Sequence, residues 1–291
     1  MKNSKVGYIF LLPVVISCLF VLIYPLIYNL NLSFRNVNFT TFIRGGAPWV
    51  GLNNYLKIIR DALFAKVLLN TLIFWLGSIS FQFLIGLALA LLFYNKFPLN
   101  LLYRSLVLLP WFVPLTVSGA IFKWFFAGET GFINSFLIGL GYLRKPIPWL
   151  TDPKIAIYTV TLVNIWLGIP FNFIMIFTGL QAIPTELFES AKVDGARDFQ
   201  ILRYITLPLL KPTIMLTLVL GSIFTIKVFD IVWVLTAGGP GGATHLFTTL
   251  AYHLAFQRFR FGESSAVVVI MMVILFLLVM LLQRIRRGGE A

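Results

Sequence analysis

The chain has 291 residues, 59% of them hydrophobic and only 11% charged, with 29 phenylalanines. A soluble domain carries about a quarter charged residues, so this composition excludes an ordinary water-soluble fold. The net charge of +13 is scattered through every loop, with no basic stripe and no nucleic-acid-binding motif, which excludes a nucleic-acid partner and leaves loop charges that meet lipid headgroups.

The first charge-free run, Val6–Phe34, exceeds the ~20 helical residues that cross the ~30 Å hydrocarbon core. Cys18, the single cysteine, lies within it and excludes a disulfide framework or a cysteine-cluster metal site. The apolar run continues past Cys18 to Phe34, which favours a retained span over a removed signal. The loop that follows carries the turn-rich stretch RGGAPWVGLNNY and predicts a short amphipathic helix near Tyr55–Phe64. Val67–Asn95 is the second span, and YNKFPLNLLYR a tight connection to the third, Ser105–Phe122, which reaches full length if Lys123 snorkels. RKPIPWLTDPK leads into the fourth, Ile155–Thr185. The fifth, about Ile205–Leu235, carries Lys211, Lys227 and Asp230 and stops at AGGPGGAT, where Gly238, Gly239 and Pro240 end the helix. YHLAFQRFRFGE precedes the sixth, Ser264–Gln283. Backbone hydrogen bonding in lipid favours helices, and the alternation of a barrel is absent. The expected fold is therefore an all-α polytopic membrane protein of six transmembrane helices. Lysine and arginine divide almost evenly between the two faces, so the positive-inside rule gives no clear orientation.

Between the fourth and fifth spans the chain turns polar: ESAKVDGARDFQILRYITLP, 189–208. Pro184 and Thr185 offer a helix start, with Glu186 and Glu189 near its favourable N-terminal end. Leu187, Phe188 and Ala191 form an apolar strip, and Gly195 suits a positive-φ C-cap. A second helix is expected from about Ala196 into the fifth span through Phe199, Leu202 and Ile205. On the residues alone, an ordinary amphipathic loop helix and a docking element stand level.

This string resembles the signature loop of binding-protein-dependent ABC importer permeases, whose pattern is Glu-Ala-Ala, a glycine four residues past the last alanine, then Ile-x-Leu-Pro. Glu189, Ala191, Gly195, Ile205, Leu207 and Pro208 match it, and Ser190 stands in for the first alanine. GLNNYLKII, LLNTLIF, NIWLGIPF, GLQAIP and LTAGGPGGAT resemble the carbohydrate branch of that family, its MalF-type subunit, in the same order along nearly the whole chain. The resemblance implies a type I ABC importer permease fold, with both termini on the cytoplasmic side of a prokaryotic inner membrane. It implies that the loop around Glu189, Ala191, Asp194, Gly195, Leu207 and Pro208 docks on an ATPase subunit. It also implies a second, MalG-type permease as heterodimer partner, two ATPase subunits, an external solute-binding protein and a carbohydrate substrate. The expected division is 1–65 for the first helix and external loop, 66–284 for the transmembrane type-1 domain and 285–291 for a cytoplasmic tail. The short first loop limits binding-protein contacts to the 35–66, 128–154 and 237–263 loops.

No catalytic constellation, cofactor or metal site is expected. His245 and His253 lack metal-like spacing to carboxylates or a thiol, and no GxxxxGK[ST] loop is present, so ATP hydrolysis belongs to another chain. On the fourth span, Asn164, Leu167, Gly168 and Phe171 share one helix face. Gly221, Phe224, Thr225 and Val228 make a comparable stripe on the fifth. An amide, a hydroxyl, two aromatic rings and two glycines suit a sugar's hydroxyls and ring faces, although small and polar residues also pack membrane helices. Lys227 and Asp230 stand at i, i+3, either as a gate or partner contact or as a self-paired bridge. A secondary transporter is the alternative function, but it needs ion-coupling titratable residues and usually inverted repeats. A membrane enzyme needs an interfacial polar cluster that the sequence does not supply.

Overall fold

A computed structural model describes residues 4–95 and 97–287, with side-chain environments for 10–95 and 97–284. Lys2 and Lys96 of the charge balance, the side chains of Arg286 and Arg287, and residues 288–291 of the expected tail lie outside them. The regular elements among the described residues are all helices, joined by turns and loops, with one isolated bridge between Arg35 and Trp49. Among the described residues five helices are long and apolar enough to cross a membrane, or six where a bent pair is taken as one span. Two compact units result: the described residues up to Ala65 with Leu250–Val273, and Lys66–Thr249 with the described residues from Ile274 onward.

In the first unit the first span covers Phe10–Ser33, and none of its apolar window is buried. The loop after it is held by polar anchors. Asn54, buried, donates to the carbonyls of Ser33 and Arg35 at 2.8 and 2.9 Å. Asn38 caps the short helix Phe39–Arg44 by accepting from the Thr41 N–H at 3.0 Å. The expected helix at Tyr55–Phe64 is observed at Asn53–Arg60, ending where Asp61 accepts from the Leu63 N–H at 2.8 Å and starts the second span.

The second unit is built around three spans, Ala62–Tyr94 (from Lys66 onward), Ala156–Gln181 and Asp198–Ile226. Lipid offers no hydrophobic drive between helices, so close backbone approach at small residues carries their packing. A Cβ on Gly86 would lie 2.6 Å from that of Asn172, one on Gly77 3.0 Å from Thr161, and one on Gly179 2.8 Å from Thr213. The second and fourth spans thus meet along one glycine seam, and the fourth and fifth at Gly179. Phe74, Val160, Val163, Ile231 and Leu246 fill one core cluster, and Ala90, Phe93, Phe173, Ile176 and Leu210 another.

The sequence and the structure differ at two spans. Ser105–Phe122 is not one straight helix: Asn100–Phe112 and Leu115–Phe125 meet at 96°. Pro114 supplies no N–H and forces Val113 out of the helical region (φ −95°, ψ 125°), which breaks the rod at that point. The fifth span begins at Asp198, with Arg197 as its N-cap residue, and ends at Ile226. The run expected to continue to Leu235 restarts as a separate helix, Asp230–Thr236. No glycine or proline marks that second break, so the hydropathy pattern could not show it.

Candidate functional site

The fourth and fifth spans enclose one side of a cavity of about 420 Å³. Asn164, Leu167, Gly168 and Phe171 reach it from the fourth span and Gly221, Phe224 and Thr225 from the fifth. Lys227 and Asp230 face it from the break that follows. All nine were named from helical spacing or as charges in an apolar run. The structure adds Gln82 from the second span, and Trp111 and Leu115 from either side of the proline break in the third. Gln82 could have been suspected as a lone amide in a long apolar run. Trp111 could not, because only the bend at Pro114 turns it inward.

The geometry reassigns several of these groups. Asn164 is buried and its amide donates to the Ser78 hydroxyl at 2.9 Å, while its own backbone carbonyl accepts from Gln82 Nε2 at 2.8 Å. The Asn164 amide therefore joins two helices. The two glycines do the same: a Cβ on Gly168 would run into the Gln82 amide, and one on Gly221 would lie 2.6 Å from Ile79 Cδ1. They admit the second span closely while also lining the cavity. Aromatic surface remains free. Phe171 meets Phe224 edge-on at 5.4 Å (84°), and Trp111 lies 6.5 Å from Phe171.

Lys227 and Asp230 do not form the i, i+3 bridge, one of the two readings of the pair. Lys227 caps the end of the fifth span and Asp230 opens the next helix, so they never share one. The ion pairs among the described residues are Lys57–Glu263 and Arg260–Glu263. Lys227 Nζ instead lies 5.8 Å from the centroid of Phe224.

The polar loop folds as a short surface helix, Thr185–Val193, with Pro184 as its N-cap residue. It ends in a complete Schellman motif. Gly195 at φ +79° donates to the Lys192 carbonyl at 3.1 Å, and Ala196 donates to Ala191 at 2.9 Å. The expected apolar strip divides: Phe188 packs 5.9 Å from Tyr94 and Ala191 is buried, but Leu187 points outward. Glu189 and Asp194 are exposed, and Val193 is 88% exposed. The next helix starts at Asp198 rather than Ala196, after the Gln200 side chain accepts from the Arg197 N–H at 2.7 Å. Leu207, half-buried, and Pro208, exposed, then follow a five-residue π turn, Leu202–Thr206. Pro208 has no N–H for the usual i−4 bond and its ring needs room, which the wider turn provides.

His245 is buried in the loop after Asp230–Thr236, with Nδ1 3.1 Å from the Thr249 hydroxyl and its ring against Gly238. His253 lies on a helical turn beside Gln257. No group of three His, Cys, Asp or Glu side chains placed to hold a metal occurs among the described residues.

Comparison with known proteins identifies the family and the fold. Residues 82–286 match the family model described as binding-protein-dependent transport system inner membrane component. The trehalose/maltose transport system permease protein MalF of Thermococcus litoralis is 35% identical over 253 residues, which cover 87% of this chain and 84% of the relative. The sulfoquinovosyl glycerol transport system permease protein SmoG of Agrobacterium fabrum is 36% identical over 244 residues, 84% of this chain and 77% of the relative. The crystal structure of a bacterial ABC transporter that imports the acidic polysaccharide alginate superimposes with a TM-score of 0.85. The match is at 25% identity and covers 99% of this chain and 96% of that one. The chain belongs to the family of inner-membrane components of binding-protein-dependent transport systems.

Proposed function

We propose that this chain is one permease half of an ATP-driven sugar importer, and that the cavity between its fourth and fifth spans is its share of the sugar path. The observation that carries this reading is convergence. Two separate helical stripes and the charges beyond them meet on a single cavity, with an open aromatic face at Trp111, Phe171 and Phe224. Sugars present apolar ring faces to such surfaces and hydroxyls to nearby polar groups. Relatives named for trehalose/maltose and sulfoquinovosyl glycerol transport, and the alginate importer solved with its pentasaccharide-bound periplasmic protein, support a saccharide cargo.

The remaining parts follow from the same reading. A second permease closes the path, an external binding protein delivers the sugar, and separate ATPase subunits dock on Thr185–Val193 through exposed Glu189, Asp194 and Val193. Gly195 ends that helix, and Leu207 and Pro208 carry its position into the fifth span. Both termini and this helix lie in the cytoplasm of a prokaryotic cell, and the segments 1–65, 66–284 and 285–291 serve as first helix with external loop, permease domain and tail. ATP-dependent uptake in proteoliposomes holding the whole importer tests the path. Phe171→Ala and Trp111→Ala should each lower uptake several-fold with the complex still assembled, and unchanged uptake in both would move the path elsewhere. Orientation is checked by impermeant thiol labelling in a Cys18→Ser background. A cysteine at Asp194 should label only from the cytoplasm and one at Gly46 only from outside, and the reverse pattern would overturn the ATPase docking.

A further inference from the structure

The cavity wall is largely apolar and aromatic, with three neutral polar side chains, Gln82, Asn164 and Thr225, and two charged ones. Lys227 and Asp230 are the charged residues among those that line it. Both are exposed, and neither forms an ion pair within 4.0 Å. The break between the two helices explains why they stay apart. Lys227 closes the fifth span, where the C-terminal end of the helix dipole favours a cation, and Asp230 lies in the first turn of the following helix, where an acid is favoured. Each charge has its own local stabilisation and does not need the other.

The neutral polar side chains of the wall, Gln82, Asn164 and Thr225, are all buried. The Asn164 amide donates to Ser78, Gln82 Nε2 donates to the Asn164 carbonyl, and Thr225 is buried. The ammonium of Lys227, with three donors, and the carboxylate of Asp230, an acceptor only, are therefore the exposed hydrogen-bonding side chains beside the aromatic face. Sugar hydroxyls can accept from one and donate to the other. The same two charges cancel over the cavity. An anionic saccharide drawn to Lys227 is repelled by Asp230, and a cationic one meets the opposite mismatch.

We propose that Lys227 and Asp230 set the charge selectivity of this cavity, holding it balanced so that it takes an uncharged saccharide and discriminates against uronates and amino sugars. This rests on the reading that the cavity is the sugar path. Removing one charge leaves the other unopposed beside the bound sugar, which shifts charge preference by on the order of tenfold.

The test is saturation-transfer NMR on the assembled importer without its binding protein, with three probes: trehalose, a mannuronate disaccharide and a glucosamine disaccharide. Wild type should transfer most to trehalose. Asp230→Asn should move the preference by about tenfold toward the mannuronate probe, and Lys227→Met by a similar factor toward the glucosamine probe. Phe171→Ala should weaken all three signals together. If Phe171→Ala has that effect but the two charge variants keep the wild-type order, or wild type prefers a charged probe, the charge assignment is overturned and the cavity stands. If no probe receives saturation in wild type, or Phe171→Ala changes nothing, the cavity itself is not the path and the proposal falls with it.

Discussion

At Gly168 an added Cβ would collide with the amide of Gln82, whereas at Gly195 it would meet nothing within 4 Å. Gly195 is there for its backbone, at φ +79°, a conformation that costs a residue with a Cβ roughly 1–2 kcal/mol. Gly168 is there for its missing volume, in a helix seam where Gln82 is buried and tied to Asn164. One glycine fixes the wall of a cavity through packing, and the other fixes the direction of a surface helix through a turn. Substitutions in the two regions should therefore fail differently. Changes in the glycine seam act first on the fold, and loop changes act first on what docks there.

The sharpest way to break this contrast is Gly168→Leu. Overpacking a tight site costs about 1–3 kcal/mol and sometimes more, and here the obstacle is a buried amide hydrogen-bonded to the Asn164 carbonyl. Folded yield and Tm on size-exclusion chromatography and thermal unfolding should fall sharply, with the importer failing to assemble. Normal yield and Tm would show that Gly168 does not hold the seam.

A smaller effect sharpens the same point at Asn164. Loss of its bond to Ser78 should cost about 0.5–1.5 kcal/mol, read as a modest drop in Tm. Asn164→Ala and Ser78→Ala should be non-additive in a double-mutant cycle, because each removes the same 2.9 Å bond. Strict additivity would free the Asn164 amide for the cavity after all.

Which features could be read from the sequence follows from which forces are local. Apolar runs set the spans directly, since hydrocarbon thickness fixes their length. Helical periodicity placed Asn164 and Phe171 on one face, and Thr225 with them across the cavity. A glycine following an amphipathic turn was enough to anticipate the positive φ of Gly195. What each side chain does there was not legible, because Asn164, Gly168 and Gly221 are assigned by their neighbours on the second span, Ser78, Gln82 and Ile79. Pro114 was visible, but not the 96° bend that brings Trp111 to the cavity. The break between Lys227 and Asp230 carries no breaker residue, so sequence spacing left open a bridge that two separate helices do not make.

The central claim is that Thr185–Val193 is the handle by which an ATPase grips this permease. Gly195→Asp distorts the turn that ends the helix, and Glu189→Lys reverses a charge on its exposed face, while neither touches the spans. Co-purification of the ATPase subunits with each variant, assembled with its partner permease, tests this most directly. Both variants should insert and pair with the partner permease yet recover far less ATPase than wild type. Wild-type recovery of ATPase with both would contradict the account.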